Sequence, residues 1–123
     1  MIVQNIAQSV LASAARTATN TSGDFINVGC SGIDLIFDIT AVPGTDTVTL
    51  TIQGKDPVSG KYYTLLAGAA QSGVATVRMR IYPGLTAAAN VDANGILPSI
   101  WRVSIAHSAA TSFTYSVGAH VVV

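Results

Sequence analysis

The stretch from Gly54 to Leu66, GKDPVSGKYYTLL, comes nearer than any other in the chain to the spacing of a phosphate-binding loop. Such a loop needs Gly, four residues, then Gly-Lys followed by Ser or Thr, because its amides curl around the phosphates while the hydroxyl reaches magnesium. Here five residues separate Gly54 from Gly60, and Tyr62 stands where the hydroxyl belongs. The continuation YYTLLAGAA opens on aromatic and β-favouring residues, not on a helix whose N-terminal amides would complete the site. The stretch therefore reads as a turn between two strands, started by Asp56-Pro57 and closed by Ser59-Gly60.

Other chemistry-bearing residues are sparse. His107 and His120 could be combined with Asp92 or Ser108 as a hydrolytic set, yet neither His lies in a recognisable nucleophile turn. Two His, the single Cys30 and six scattered Asp lack the paired spacing of a metal site. Asp34 and Asp38 share a strand face roughly 13 Å apart by strand rise, which suits a solvated or intersubunit edge better than a shared ion. No catalytic residue, metal or cofactor is expected. Arg78, Arg80 and Tyr82 share one face of a strand, and Arg is favoured where carboxylates and aromatic rings meet at interfaces. With Arg102 they form the candidate subunit interface, facing Asp residues of a neighbouring subunit; a merely solvated face is the alternative. Tyr62, Tyr63, Tyr82 and Trp101 could instead build a sugar-stacking platform, but Trp101 shares strand parity with Val103 and Ile105 and belongs with the core.

The elements that must carry these residues follow from composition. At 123 residues the chain fits one domain with a single core. Charged residues make up 10%, against about 25% in an ordinary soluble domain, so part of the surface is expected to be covered by other subunits. Six basic and six acidic residues cancel, which argues against a nucleic-acid partner. All six acids are Asp, and a chain without Glu, rich in Thr, Val, Gly and Ser, favours strands and turns over helices. Cys30 excludes an intrachain disulfide and reads as a buried thiol. The N-terminal MIVQNIAQSVLASAA lacks a basic start and an unbroken apolar stretch, so it reads as mature protein and not as a signal peptide. No segment reads as a transmembrane helix, and no membrane partner is expected.

Along the chain, residues 1–22 form an N-terminal arm or first strand, and residues 23–123 a single β-sandwich domain. Within 2–15 the residues Ile2, Val3, Ile6, Ala7, Val10, Leu11 and Ala14 also make a helical stripe, so a short helix remains open. Alternation follows: Ile26, Val28 and Cys30 point one way, then Ile33, Leu35, Phe37 and Ile39. The segment TVTLTIQ sets Val48, Leu50 and Ile52 inward, VATVRMRIY sets Ala75, Val77, Met79 and Ile81 inward, and IWRVSIAH and SFTYSVGAHVV behave likewise. The expected fold is all-β, an antiparallel β-sandwich or jelly-roll-like barrel of about seven to eight strands with an N-terminal arm or short helix.

The segments GKDPVSGKYYTLLAGAA, RIYPGLTAAANV and ILPSIWRVSIAHSAATSFTYSVGAHVVV resemble small capsid decoration, or head auxiliary, proteins of tailed bacteriophages. That resemblance implies a β-rich, non-enzymatic virion subunit, commonly a homotrimer, that sits on the capsid surface and clamps neighbouring copies of the major capsid protein. It carries over no functional residue, because the class has no shared site motif to match. A tail or baseplate component and a carbohydrate-binding adhesin module are the competing expectations.

Overall fold

The structure, a computed structural model, describes residues 4–123. Among the described residues ten strands form: β1 (Ile6–Arg16), β2 (Asn20–Thr21), β3 (Phe25–Ile26), β4 (Gly32–Ala41), β5 (Val48–Lys55), β6 (Tyr62–Ala67), β7 (Ala75–Tyr82), β8 (Asp92–Asn94), β9 (Ile100–His107) and β10 (Phe113–Val122). One sheet has the order β1-β10-β4-β7-β8, and the other β2-β9-β5-β6 with β3 also on β9. The two ladders stay separate and do not close into a barrel. The pairs are nested: β1 with β10, β2 and β3 with β9, β4 with β7, β5 with β6. The chain is thus one long hairpin folded over on itself. Every ladder is antiparallel except the three-residue pairing of β8 with β7. The strands beyond the expected seven or eight are β2, β3 and β8, which at two or three residues are too short to show a period.

The inner faces hold one core. Leu35, Phe37 and Ile39 of β4, Leu50 and Ile52 of β5, Val103 and Ile105 of β9, and Phe113, Tyr115 and Val117 of β10 are all essentially without solvent contact. Alternating β-branched and aromatic residues dictate this, since one parity of each strand is apolar and the other carries Thr, Asp, Arg and Ser. Trp101 lies fully buried in the same layer, as its parity requires.

Two sequence expectations are corrected. The described part of the helical stripe is not a helix: residues 6–16 are strand β1, paired along β10, and Ile2 and Val3 lie outside the described residues. Register shifts between Ser9 and Leu11 and again between Leu11 and Ala14 interrupt the ladder. They let the consecutive residues Val10 and Leu11 both face the core, a spacing that imitates a helix in one dimension. The second correction concerns Ile26, Val28 and Cys30, read as pointing one way along a strand: Cys30 is buried while Ile26 and Val28 are not. They are 68% and 75% exposed, because β3 stops at Ile26 and residues 27–31 cross from one sheet to the other as a loop held by Asn27. The Asn27 amide nitrogen donates to the carbonyls of Cys30 (2.8 Å) and Leu97 (3.0 Å), and its oxygen accepts from the Cys30 N–H.

The connections alternate between the two ends of the molecule. Loops 27–31, 56–61 and 83–99 lie at one end, together with the start of β1 and the end of β10. Loops 17–19, 42–47, 68–74 and 108–112 lie at the other.

Candidate functional site

The arginines singled out from the sequence are placed on two different outer faces. Arg78 and Arg80 project from β7. Arg78 donates from Nε and Nη2 to the two oxygens of Asp34 on the adjacent β4, both at 2.8 Å. Arg80 forms the same fork with Asp92 of β8, at 2.8 and 2.9 Å. Such two-pronged pairing holds both carboxyls below the usual carboxylate range, through the hydrogen bonds first and the arginine charge second. It raises both guanidinium groups correspondingly. Asp38 accepts instead from the Thr76 hydroxyl at 3.0 Å. The strand that carries Asp34 and Asp38 is interior to its sheet and is not an edge. Tyr82, also on β7, donates its hydroxyl to the Val123 carbonyl at 2.6 Å and so closes the row onto the end of the chain.

Arg102 stands apart, on β9 of the other sheet. Its guanidinium carbon lies 3.3 Å from the centroid of the Tyr62 ring, and its Nε donates to Gln53 at 2.8 Å. The Tyr62 hydroxyl donates to Asp24 at 2.7 Å, and Lys55 donates to the other Asp24 oxygen at 2.9 Å. Asp24 is thereby the hub of a surface network and is held below its ordinary value, by the Tyr62 hydrogen bond first and that of Lys55 second. Exposed ion pairs of this kind contribute little to stability. Their consequence is geometric: an arginine already stacks on one face of the Tyr62 ring. Tyr63 points to the opposite side of β6, where its ring covers Gly54, and Tyr82 lies on the other sheet. The three tyrosines and Trp101 therefore do not meet in one platform.

The hydrolytic set is not assembled either. Ser108 accepts from the Thr47 N–H at 2.8 Å, Asp92 is engaged by Arg80, and His120 is exposed on the outer face of β10. Among the described residues no group of three or more His, Cys, Asp or Glu side chains is placed to hold a metal ion. The turn 56–60 consumes its own amides, since the Asp56 carboxylate accepts from the N–H groups of Val58 (3.1 Å) and Ser59 (3.4 Å) and from the Ser59 hydroxyl (2.6 Å). Gly60 adopts a left-handed φ of 73° that closes it.

One arrangement escaped the sequence reading. His107 shares parity with Trp101, Val103 and Ile105, and Tyr115 with Phe113 and Val117, so both point into the sandwich at the end opposite Tyr82. The His107 Nε2 and Tyr115 Oη atoms are 2.8 Å apart, Asn20 donates to the same hydroxyl at 3.4 Å, and Arg16 covers the Tyr115 ring at 4.8 Å. His107 Nδ1 is buried without a hydrogen-bond partner among the described residues. A protonated ring would leave its Nδ1–H unsatisfied, so burial first and the Arg16 charge second push His107 below its ordinary 6.5. Because the folded value is depressed, the unfolded chain takes up the proton first. Stability is therefore complete above pH 6.5 and declines as the pH falls below it, before carboxylates with an ordinary value of 3.8 protonate. Urea unfolding midpoints should drop between about pH 7.5 and pH 5 for the wild type and for His120→Gln, and stay level for His107→Gln. An unchanged wild-type midpoint across that interval would refute this account.

No protein-family model, curated protein or solved structure matches the chain.

Proposed function

We propose that this chain is a non-enzymatic structural subunit of a bacteriophage virion, a capsid decoration protein that binds the outer surface of the major capsid lattice and stabilises the head. In this reading the domain is a jelly roll that works as a homo-oligomer, with a trimer favoured. The nested pairing of successive strands, first with last and inward to β5 with β6, supports the jelly-roll topology. Jelly rolls serve viral capsids, lectins and cupins alike, so the fold alone does not choose among these roles.

The observation that carries the reading is the distribution of surface chemistry. Asp24, Asp34 and Asp92 are each engaged by Lys or Arg and Asp38, Asp46 and Asp56 by hydroxyl groups, while large apolar side chains stay exposed. Such a surface suits contact and not turnover, and many weak contacts repeated on a lattice give high avidity. A glycan-binding role has less support, because Arg102 occupies the face of Tyr62 and the aromatic side chains are scattered.

Quantitative protein composition of purified particles tests the proposal. The expected result is a copy number that scales with the major capsid protein and a position on the outer head surface. Presence only in small ring-like numbers at the tail would replace it with the tail reading, and absence from particles would end it.

A further inference from the structure

We infer that the end of the sandwich bearing both described chain ends is the surface through which copies of this chain associate with one another. This rests on the proposed function only in expecting an oligomer. Among the described residues, nine of the ten exposed large apolar side chains lie at this end, and six of them, Ile6, Ile26, Val28, Tyr82, Ile96 and Val123, sit on the segments around the two chain ends. These segments are tied together. Asn27 N–H donates to the Ser99 carbonyl (2.8 Å), Leu97 N–H to Ser31 (2.9 Å) and Ser31 N–H to Val122 (2.8 Å). Tyr82 reaches the Val123 carbonyl, and the Asn5 side chain accepts from the Val123 N–H at 2.9 Å. The residues are thus carried on one braced surface, and Ile26, Val28 and Ile96 stand 66–75% exposed on it.

Size and charge select the occupant. Summed over the six residues the exposure is on the order of 600 Å², comparable to the roughly 300–600 Å² of the largest apolar patch on a typical monomer. That exceeds the roughly 450 Å² of apolar surface in one side of a standard protein interface, where about 800 Å² is buried per partner and somewhat over half of it is apolar. The segments 25–33, 93–101 and 117–123 contain no Asp, Glu, Lys or Arg, and the charges beside them cancel: Lys55 pairs with Asp24, Arg80 with Asp92, and the loop 56–61 carries one Asp and one Lys. The end therefore offers no basic cluster to anionic lipid and no net charge for a charged partner to read. An apolar surface of zero net charge is complementary to itself, and two copies brought together meet no net like-charge repulsion. The occupant we assign is accordingly a second copy of this chain.

Sedimentation equilibrium on the purified full chain tests this, using Val28→Asp/Ile96→Asp at the apolar end and Val74→Asp at the opposite end. The wild type and Val74→Asp should be oligomeric at micromolar concentration. The double variant should be monomeric, with self-association at least a hundredfold weaker and an unchanged near-ultraviolet signal from Trp101. As a measurement that needs no variant, amide exchange in residues 27–31 and 95–99 should slow as wild-type concentration rises from about 1 to 100 μM. A monomeric wild type with concentration-independent exchange would overturn the inference, as would a double variant of wild-type mass or equal dissociation by Val74→Asp. An oligomer that fails to bind capsids would leave the inference standing and remove the decoration role.

Discussion

Replacing Gly32 by Ala should destabilise the fold by about 3 kcal/mol, a large share of the roughly 5–15 kcal/mol that holds a domain together. A Cβ at this position would lie 2.2 Å from the Ile81 carbonyl oxygen, 3.2 Å from its carbon and 2.7 Å from Cδ2 of Tyr82. The first two are backbone atoms of β7, and the ladder fixes them by pairing Ile33 with Ile81. Relief therefore requires parting β4 from β7 at the very end where Tyr82 is tied to Val123. Two other glycines provide internal comparisons. At Gly54 the clash would be with side chains and not backbone, Cζ and the hydroxyl of Tyr63 at 2.5 and 2.7 Å and Cγ of Pro98 at 2.9 Å, and the half-exposed tyrosine can swing aside. At Gly118 nothing lies within 4 Å, so Gly118→Ala should change stability by no more than about 0.5 kcal/mol. Urea unfolding of the three variants should rank Gly32→Ala as most damaging, then Gly54→Ala, then Gly118→Ala. A Gly32→Ala protein with the wild-type midpoint would mean that the close approach of β4 to β7 is absent.

The all-β class and the core were legible wherever a strand was long enough to display its period. Val48, Leu50 and Ile52, or Trp101, Val103 and Ile105, were assigned inward by alternation, and they are buried. The misreadings share a cause: places where the backbone departs from the two-residue repeat. In β1 two bulges bring Val10 and Leu11 to the same side, so a linear reading finds helical spacing. At Ile26 the strand ends after two residues, and parity no longer predicts direction for Val28. The surface was legible only by composition. Parity placed Arg78 and Arg80 on one face, but it could not pair them with Asp34 and Asp92, because strand neighbours depend on topology and not on local pattern. For the same reason Arg102 was grouped with residues of the other sheet. His107 and Tyr115 follow the parity of their core neighbours, but parity does not fix which residues of different strands meet, so their contact is invisible in one dimension.

The same topology explains how a chain with few charges keeps its sheets in register. Asp34 with Arg78 and Asp38 with Thr76 bridge β4 and β7, while Gln53 with Arg102 bridges β5 and β9. Each contact is weak, but a one-residue slip would break every one of them and turn the apolar parity outward. Register is therefore specified twice, by burial within and by cross-strand pairs outside, and the end loops that project the apolar side chains inherit that rigidity.

Trp101→Ala is the substitution expected to join core stability to the exposed end. Trp101 is 1% exposed, and the Phe25 ring stacks on it with centroids 4.8 Å apart and planes 27° from parallel. Phe25 pairs with Trp101 and Ile26 with Ile100, and these two residues are the whole of β3. Truncation to Ala should cost about 3–5 kcal/mol through lost burial and the cavity left behind. It also removes the surface on which β3 lies, so the damage should be directional. Amides of residues 25–31 should exchange faster than those of β4 and β10 under conditions where the variant is still folded. If copies associate through the end carrying Ile26 and Val28, the folded variant should also lose self-association more than its lower stability explains. Trp101→Phe keeps an aromatic ring under Phe25 and should retain both local protection and association at a smaller cost. Uniform acceleration of exchange across both sheets in Trp101→Ala, with association falling only in proportion to the unfolded fraction, would show that Trp101 supports the core alone and does not position the apolar end.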